Sequence, residues 1–531
     1  MASPSKPKKK KKKAEPKAST PRLVSVIDIG STAIRLVIAE ITGTSSWNTL
    51  DRAVQPLSLG RDVFLRGNLS PESIRDGVAI LERFKEMLAG WAIPPEDVRV
   101  IATAAIREAR NRDIFIDRVM VRTGFRVNVV AGIEESHLTY LAVQHALTEL
   151  KPQFARSRAM ILEVGGGTSE LMILNRGRMI ASHNLGIGTL RVEKQVLKTA
   201  GTSVDNSHIE RFLREHIRVT RDILNADVEL ERIRFFVAVG GDARIMAERV
   251  GKRAGERFAV IPRETFTDFL EVLRTNSTEE VVRTLRLTWT EAEGLFPALA
   301  ILNLFMEATA AEELIVPDVS IREGVLLDFT VDPGLRLRRE FTRQVSGAAL
   351  ALGRKYRFDE PHATTVTSLA LQLFDQLVPE HGLDSHERLL LEVAAMTHDI
   401  GYFIRPDGHH KHGQYILENS EIFGLSRTDL TIIGLLVRFH RGPSPSPTRG
   451  SLGPLRWSHR MMVLKLAAIL RVADALDRGH LQRITTITVQ REGHQMVIQS
   501  NAKTEISTER QGLEAKGGMF EEIFGYEVTV L

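Results

Sequence analysis

The 531-residue sequence contains no cysteine. Disulfides and thiolate metal sites are excluded, and the lack of both fits a reducing cytoplasm. Uninterrupted apolar runs of membrane-spanning length are also missing. The most apolar stretch, GLFPALAILNLFM, contains Pro297 and Asn303 and stops at Glu307. The lysines near the start are followed by no apolar core, which argues against a secretory signal. A basic body is missing too, although the calculated pI is near 9.3. Residues 1–20 hold eight lysines and one acid, Glu15, a formal charge of +7; the whole chain carries +5, so the remainder sums to about −2.

What is present is the composition of a soluble globular protein, 43% hydrophobic and 26% charged, with length for about three or four domains. The segment SKPKKKKKKAEPKASTP has no apolar pattern and reads as a disordered tail. It is either a solubilising leader or an electrostatic tether for a polyanion, and nucleic acid is expected to interact only through it.

Two segments share one plan. VSVIDIGSTAIRLVIAE (24–40) and MILEVGGGTSELMIL (160–174) each run an apolar strand into a carboxylate, Asp28 or Glu163. A Gly/Ser/Thr turn and a second apolar strand follow. Alone, the Gly165-Gly166-Gly167 triplet reads either as a plain hairpin turn or as a cradle of backbone amides for an anion. The counterpart at 24–40 favours the cradle, because two facing domains that each offer such a turn would line a cleft for phosphates.

Between the repeats, NLSPESIRDGVAILERFKEML carries a helix signature, with Ser70 as cap, Pro71 in the first turn, and Ile74, Val78, Leu81 and Phe84 on one face. VRVIATAAI reads as a strand running to Arg107, RDIFIDRVMVRTG as a helix stopped by Gly124, and FRVNVV as a strand. IEESHLTYLAVQHALTEL reads as a helix opening on two glutamates, and RFFVAVGGDARIMAERV as strand, glycine turn and helix. Alternating strands and helices give an α/β class. From about 335 to 480 the pattern is helical, broken by the loop HRGPSPSPTRGSLGP. From 483 on, a hairpin, a short helix and a final strand make a small α+β piece.

The sequence resembles the exopolyphosphatase / guanosine-pentaphosphate phosphohydrolase (Ppx/GppA) family. The residues that carry the resemblance are IDIGSTAIRLVIAE, IATAAIREARN, VVAGIEESHL, LEVGGGTSEL, NLGIGTLRV, AVGGDAR and VSIREGVLLD, in family order from 24 to about 328. The resemblance implies a duplicated actin/sugar-kinase/Hsp70-like (RNase H-like) core, in a multidomain α/β chain with domains at 21–150 and 151–334. It implies removal of terminal phosphate from inorganic polyphosphate or pppGpp with a divalent metal, Mg²⁺ or Mn²⁺, in a homodimer.

Carried over residue by residue, the general base is Glu135 of GIEES. A carboxylate in the first turn of a helix is stabilised in its charged form by the helix dipole and can accept a proton from water. Its neighbour Glu134 points about 100° away. Glu170 is the second catalytic carboxylate, Asp28 and Glu163 hold metal or water, and Arg107 grips phosphate. Ser31, Thr32, Gly166, Gly167, Thr168, Gly240 and Gly241 form the cradle. The sequence departs from the family where Glu163 replaces Asp, which would push a metal outward, and where STA (31–33) replaces Ser-Asn-Ser.

The segment 335–480 resembles an HD-type helical domain, followed by the end piece 481–531. The H…HD…D metal pattern is present as His362, His398-Asp399 and Asp474. This implies a divalent transition metal. His409, His410, His412 and His440 are further candidates for phosphate or a second metal. The reading is a cytoplasmic exopolyphosphatase. The alternatives are a pppGpp 5′-phosphohydrolase and a non-catalytic sensor of (p)ppGpp or polyphosphate.

Overall fold

The computed structural model describes residues 22–43, 46–130, 132–200, 205–330 and 335–420, and from 422 on all but 423–424, 426, 446–449, 454 and 456. The lysine-rich segment 1–20 lies outside them. The described chain forms two compact units: residues up to 129 with 321–335, and residues 130–320 with 336–531.

The first unit is built on a five-stranded sheet of β1 (Arg22–Ile29), β2 (Ala33–Gly43), β3 (Ser46–Pro56), β4 (Val98–Ala102) and β5 (Val127–Val129), ordered β3-β2-β1-β4-β5. β1, β2 and β3 pair antiparallel, and β4 and β5 continue parallel to β1. β1 is apolar from Val24 to Ile29 apart from Ser25 and Asp28, and all six residues are buried, as in a central strand covered on both faces. The expected helix spans Pro71–Gly90. Ser70 Oγ accepts from the Ser73 amide at 3.1 Å, and Ile74, Val78, Leu81 and Phe84 are buried.

The second unit repeats this topology. Its seven-stranded sheet contains β6 (Arg158–Val164), β7 (Ser169–Asn175), β8 (Arg178–Leu185), β9 (Ile233–Val239), β10 (Lys252–Gly255), β11 (Phe258–Pro262) and β12 (Glu313–Pro317). The order is β10-β11-β12-β9-β6-β7-β8. β8-β7-β6-β9-β12 matches β3-β2-β1-β4-β5 in order and in every parallel or antiparallel relation. β11 and β10 extend the far edge antiparallel.

The helical segment runs from Leu335–Lys355 to Trp457–Ala475. Its apolar residues, such as Leu369, Leu390, Leu436 and Leu470, join one core with Ile161 and Met172 of the sheet. The end piece holds β13 (Ile487–Glu492), β14 (Gln495–Ser500) and β15 (Glu527–Val530). β13 and β14 form the expected hairpin, and β15 returns parallel to β14.

The structure departs from the sequence reading in three places. The strand expected to reach Arg107 ends at Ala102, where its partner β1 ends at Ile29. Ala104–Glu108 is helical instead, as its two alanines favour once the sheet no longer holds the backbone. The compact units do not part at 150/151: helix Gly132–Ala146 packs on β7 and β8, while helix Ile321–Thr330 packs on β1, β2 and β3. A helix at Ser507–Lys516 was not foreseen. Its buried positions include only Gly512 and Leu513 among non-polar residues, so it has no apolar period to read.

Candidate active site

The two repeated hairpins are alike down to their hydrogen bonds. In the first, the Gly30 amide donates to Ala33 O (3.1 Å); in the second, the Gly165 amide donates to Thr168 O (2.9 Å). The next carbonyl in each turn receives the start of a helix. Ser31 O accepts from Gly60 N (2.8 Å), at the second residue of helix Leu59–Arg66. Gly166 O accepts from Leu190 N (2.9 Å), at the second residue of helix Thr189–Ala200. The carbonyls thus turn into the protein, and among the described residues the amides of Gly166, Gly167 and Thr168 meet no protein acceptor. That is the polarity of an anion cradle.

Glycine is required where the helix start meets the turn. A Cβ on Gly188 would lie 2.5 Å from the carbonyl carbon of Gly167. Gly240, which precedes helix Gly241–Val250, has φ +126°, and a Cβ there would lie 3.3 Å from Val164 O. Gly241 opens that helix with no atom within 4 Å of its Cβ position.

Carboxylates flank the second turn in register: Glu163 on β6 is the direct partner of Glu170 on β7. Cross-strand carboxylates repel, and helix Gly132–Ala146 supplies the compensating donors. Ser136 Oγ donates to Glu170 Oε2 at 2.5 Å, and Thr139 Oγ1 donates to Glu163 Oε2 at 2.8 Å. Asn184 Nδ2 on β8 reaches Glu170 Oε1 at 3.3 Å. Glu170 is buried, at 3% exposure, and Glu163 is half-buried. Glu135 stands in the first turn of the same helix, half-buried, whereas Glu134 is exposed. His137, next on the helix, is buried, and burial pushes its imidazole down to about 4.

In the first unit Asp28 is buried and pairs across the ladder with Arg35. Arg35 occupies the position that Glu170 holds in the second hairpin. Its guanidinium lies across the turn, 3.4 Å from both Thr32 Oγ1 and Ala33 O. Ser31 and Thr32 are half-buried. Arg107 is half-buried in its short helix, and its carbonyl accepts from Arg112 Nη1 at 3.2 Å. The second unit therefore brings Glu163, Glu170, Gly166, Gly167 and Thr168 together. The first brings Asp28 to Ser31 and Thr32. Sequence reasoning missed Arg35, Ser136, Thr139 and Asn184. Only the strand register could have revealed Arg35, and only the helix phase the two hydroxyls.

Residues 37–331 match the Ppx/GppA phosphatase family, and residues 343–516 match its domain III. The chain belongs to the Ppx/GppA phosphatase family. It is similar to proteins named guanosine-5′-triphosphate,3′-diphosphate pyrophosphatase from Pseudoalteromonas translucida, at 24% identity over 85% of this chain and 86% of the relative, and from Pseudoalteromonas atlantica, at 25% over 85% and 86%. Among solved structures, a Cytophaga hutchinsonii exopolyphosphatase superposes with a TM-score of 0.52 at 19% identity, over 59% of this chain and 99% of that one. The latter likeness shows a shared fold. As a Ppx/GppA protein the chain is a phosphoanhydride hydrolase by class. Among the described residues no helix is long and apolar enough to cross a membrane.

In domain III the four side chains singled out from sequence lie near the ends of helices. His362 lies in the first turn of helix Glu360–Gln376, and His398-Asp399 follows the end of helix Ser385–Thr397. Asp474 lies one residue from the end of helix Trp457–Ala475. His362, His398 and Asp474 form one group with ligand atoms within 4.8 Å of one another, and Asp399, His409 and His440 form another. His410 and His412 join neither among the described residues.

Proposed function

We propose that this Ppx/GppA protein releases terminal orthophosphate from inorganic polyphosphate. The observation that carries the reading is the second hairpin: free amides at the glycine turn, flanked by two carboxylates that the Ser136 and Thr139 hydroxyls hold in place. Such a turn binds the oxygens of a phosphoanhydride without reference to a base, as a polyphosphate end requires. Glu135 takes the proton from the attacking water. The amides of Gly166, Gly167 and Thr168 stabilise the charge on the phosphoryl oxygens in the transition state. Glu170, fixed by donors on both oxygens, orients the water; in the first unit Arg107 is suited to grip phosphate. Gly240 and Gly241 complete the cradle in the second unit; Ser31 and Thr32 line the corresponding turn of the first.

A divalent metal fits the acidic positions in one manner only. Among the described residues no three ligands converge at Asp28 or Glu163. Mg²⁺ is commonly held by one or two carboxylates with substrate oxygens and water, and Glu163 in the second unit or Asp28 in the first would each be such a carboxylate. When bound, it neutralises charge on the phosphate oxygens.

A second reading, hydrolysis of the 5′ γ-phosphate of pppGpp, is favoured by the names of the relatives that cover 85% of the chain. Phosphate release from long-chain polyphosphate and from pppGpp, measured side by side, decides between them. The proposal expects the higher kcat/KM on polyphosphate. A higher value on pppGpp transfers the assignment to the second reading. Release from neither, with binding retained, makes the protein a sensor.

A further inference from the structure

We propose, on the reading that Glu135 is the base, that Ser136 and Thr139 are positioning residues that act through it. Their bonds to the hairpin carboxylates set the rotation of helix Gly132–Ala146 and so aim Glu135 at the glycine turn. Successive helical residues are about 100° apart. With Glu135 as zero, Thr139 stands about 40° round the helix and Ser136 about 100°, while Glu134 stands about 100° the other way. One face therefore carries Glu135, Thr139 and Ser136. Burial follows that order: Ser136 and Thr139 are buried, Glu135 is half-buried and Glu134 is exposed.

The anchors are fixed at their strand ends. Glu163 and Glu170 are partners in register across β6 and β7, and their strand neighbours Leu162, Val164, Ser169 and Leu171 are all buried. Ser169 Oγ donates to Ile187 O, close to the helix start that receives the turn. The glycine turn and its two carboxylates thus form one fixed ribbon. The helix joins it through Ser136 Oγ, 2.5 Å from Glu170 Oε2, and Thr139 Oγ1, 2.8 Å from Glu163 Oε2. Ser136 Oγ also lies 3.1 Å from Gly132 O. A hydroxyl has one hydrogen, and the shorter contact, to a carboxylate, takes it. The Glu163 side chain, one methylene longer than the aspartate expected there, reaches the helix by this bond. Tyr140 OH donates to Gly177 O at 2.9 Å, in the turn between β7 and β8, and ties the helix to the other end of the hairpin.

Apolar packing holds only the far half of this helix. Tyr140, Ala142, Val143 and Ala146 join a core with Met172 and Leu174 of β7. Ahead of Tyr140 the buried positions among the described residues are Ser136, His137 and Thr139, all polar. The orientation of the first turns therefore depends on polar bonds, and the two hydroxyls make them to the ribbon that carries the cradle. The requirement on Glu135 is strict. A side-chain tip lies roughly 5–6 Å from the helix axis, so a rotation of about 10° moves it about 1 Å. A displacement of about 1 Å costs a well-aligned reaction about 10²-fold.

The test uses the full chain with Mg²⁺, on whichever of polyphosphate and pppGpp it cleaves with the higher kcat/KM. Thr139→Val and Ser136→Ala each remove one hydroxyl. In each, kcat should fall by ~10-fold to ~10²-fold, while KM and the Mg²⁺ concentration for half-activation stay within ~2-fold of wild type. Thr139→Ser, which keeps the hydroxyl, should restore most of kcat. Joining Thr139→Val to Glu135→Gln identifies the route: a hydroxyl that acts through the base leaves the pair no slower than Glu135→Gln alone. Three results overturn the positioning role. One is kcat within ~3-fold of wild type in both hydroxyl variants while Glu135→Gln is inactive. Another is a Thr139→Val loss that recurs in full in the Glu135→Gln background. The third is a loss confined to KM or to the Mg²⁺ requirement. Circular dichroism and thermal melting establish folding; if one hydroxyl variant is unfolded, the other, alone and joined to Glu135→Gln, decides. Near-normal turnover by Glu135→Gln, or release from neither substrate by the wild type, is a distinct result: it removes the base assignment itself, and the positioning role with it.

Discussion

Ser136 and Thr139 lie three residues apart on one helix, and each gives its hydroxyl to a different carboxylate of one hairpin. Between them His137 is buried with its folded-state pKa held near 4, below the ordinary 6.5. The unfolded chain therefore binds a proton more readily over the interval from about 6.5 to about 4. Stability is fully present above that interval and is lost as pH falls through it, by about 3 kcal/mol from this one group. Urea unfolding at pH 7.5 and pH 5 should show a larger loss for wild type than for His137→Leu; an equal loss in both would contradict the assignment. At this scale the sequence was partly legible. Glu135, Glu163 and Glu170 could be named because they sit in motifs. The hydroxyls that hold two of them could not, since Ser and Thr on a helix carry no signal until the helix phase and its neighbour are known. In the same way Arg35 became visible only through its register opposite Asp28.

The strand–turn–strand repeat was the most legible element, because its apolar runs and glycines recur in order. The pairing that makes the two turns equivalent was not. The carbonyl of Ser31 or Gly166 meets a helix start that comes 24 or more residues later, a contact that no local pattern encodes. Gly188 is the point of closest approach, with 2.5 Å between a hypothetical Cβ and backbone. Gly188→Ala should displace the glycine turn, lowering stability by about 2–3 kcal/mol and phosphate release with it. Chemical denaturation and an activity assay on the same preparation would check this; an unchanged variant would mean that the turn tolerates movement. The compact units divide the chain elsewhere than at 150/151 for a similar reason. Helix Gly132–Ala146 follows the first sheet in sequence, yet its Ser136 and Thr139 satisfy carboxylates of the second.

At the scale of the whole molecule, charge is concentrated outside the described residues. A +7 segment at 1–20 accompanies a body of about −2. Removing residues 1–20 should weaken binding to long polyphosphate and reduce its salt dependence, while cleavage of short chains stays unchanged. Superimposable low-salt binding curves would leave the segment no tethering role. The family assignment covers 37–331 and 343–516, so both units are accounted for, and what remains open is chemical. The central claim is that Glu135 takes the proton from the attacking water. The direct measurement is single-turnover phosphate release by Glu135→Gln at saturating polyphosphate, with binding measured in parallel. The account predicts a rate lower by about 10²–10⁴ with binding within a few-fold of wild type. Near-normal turnover by Glu135→Gln would contradict it.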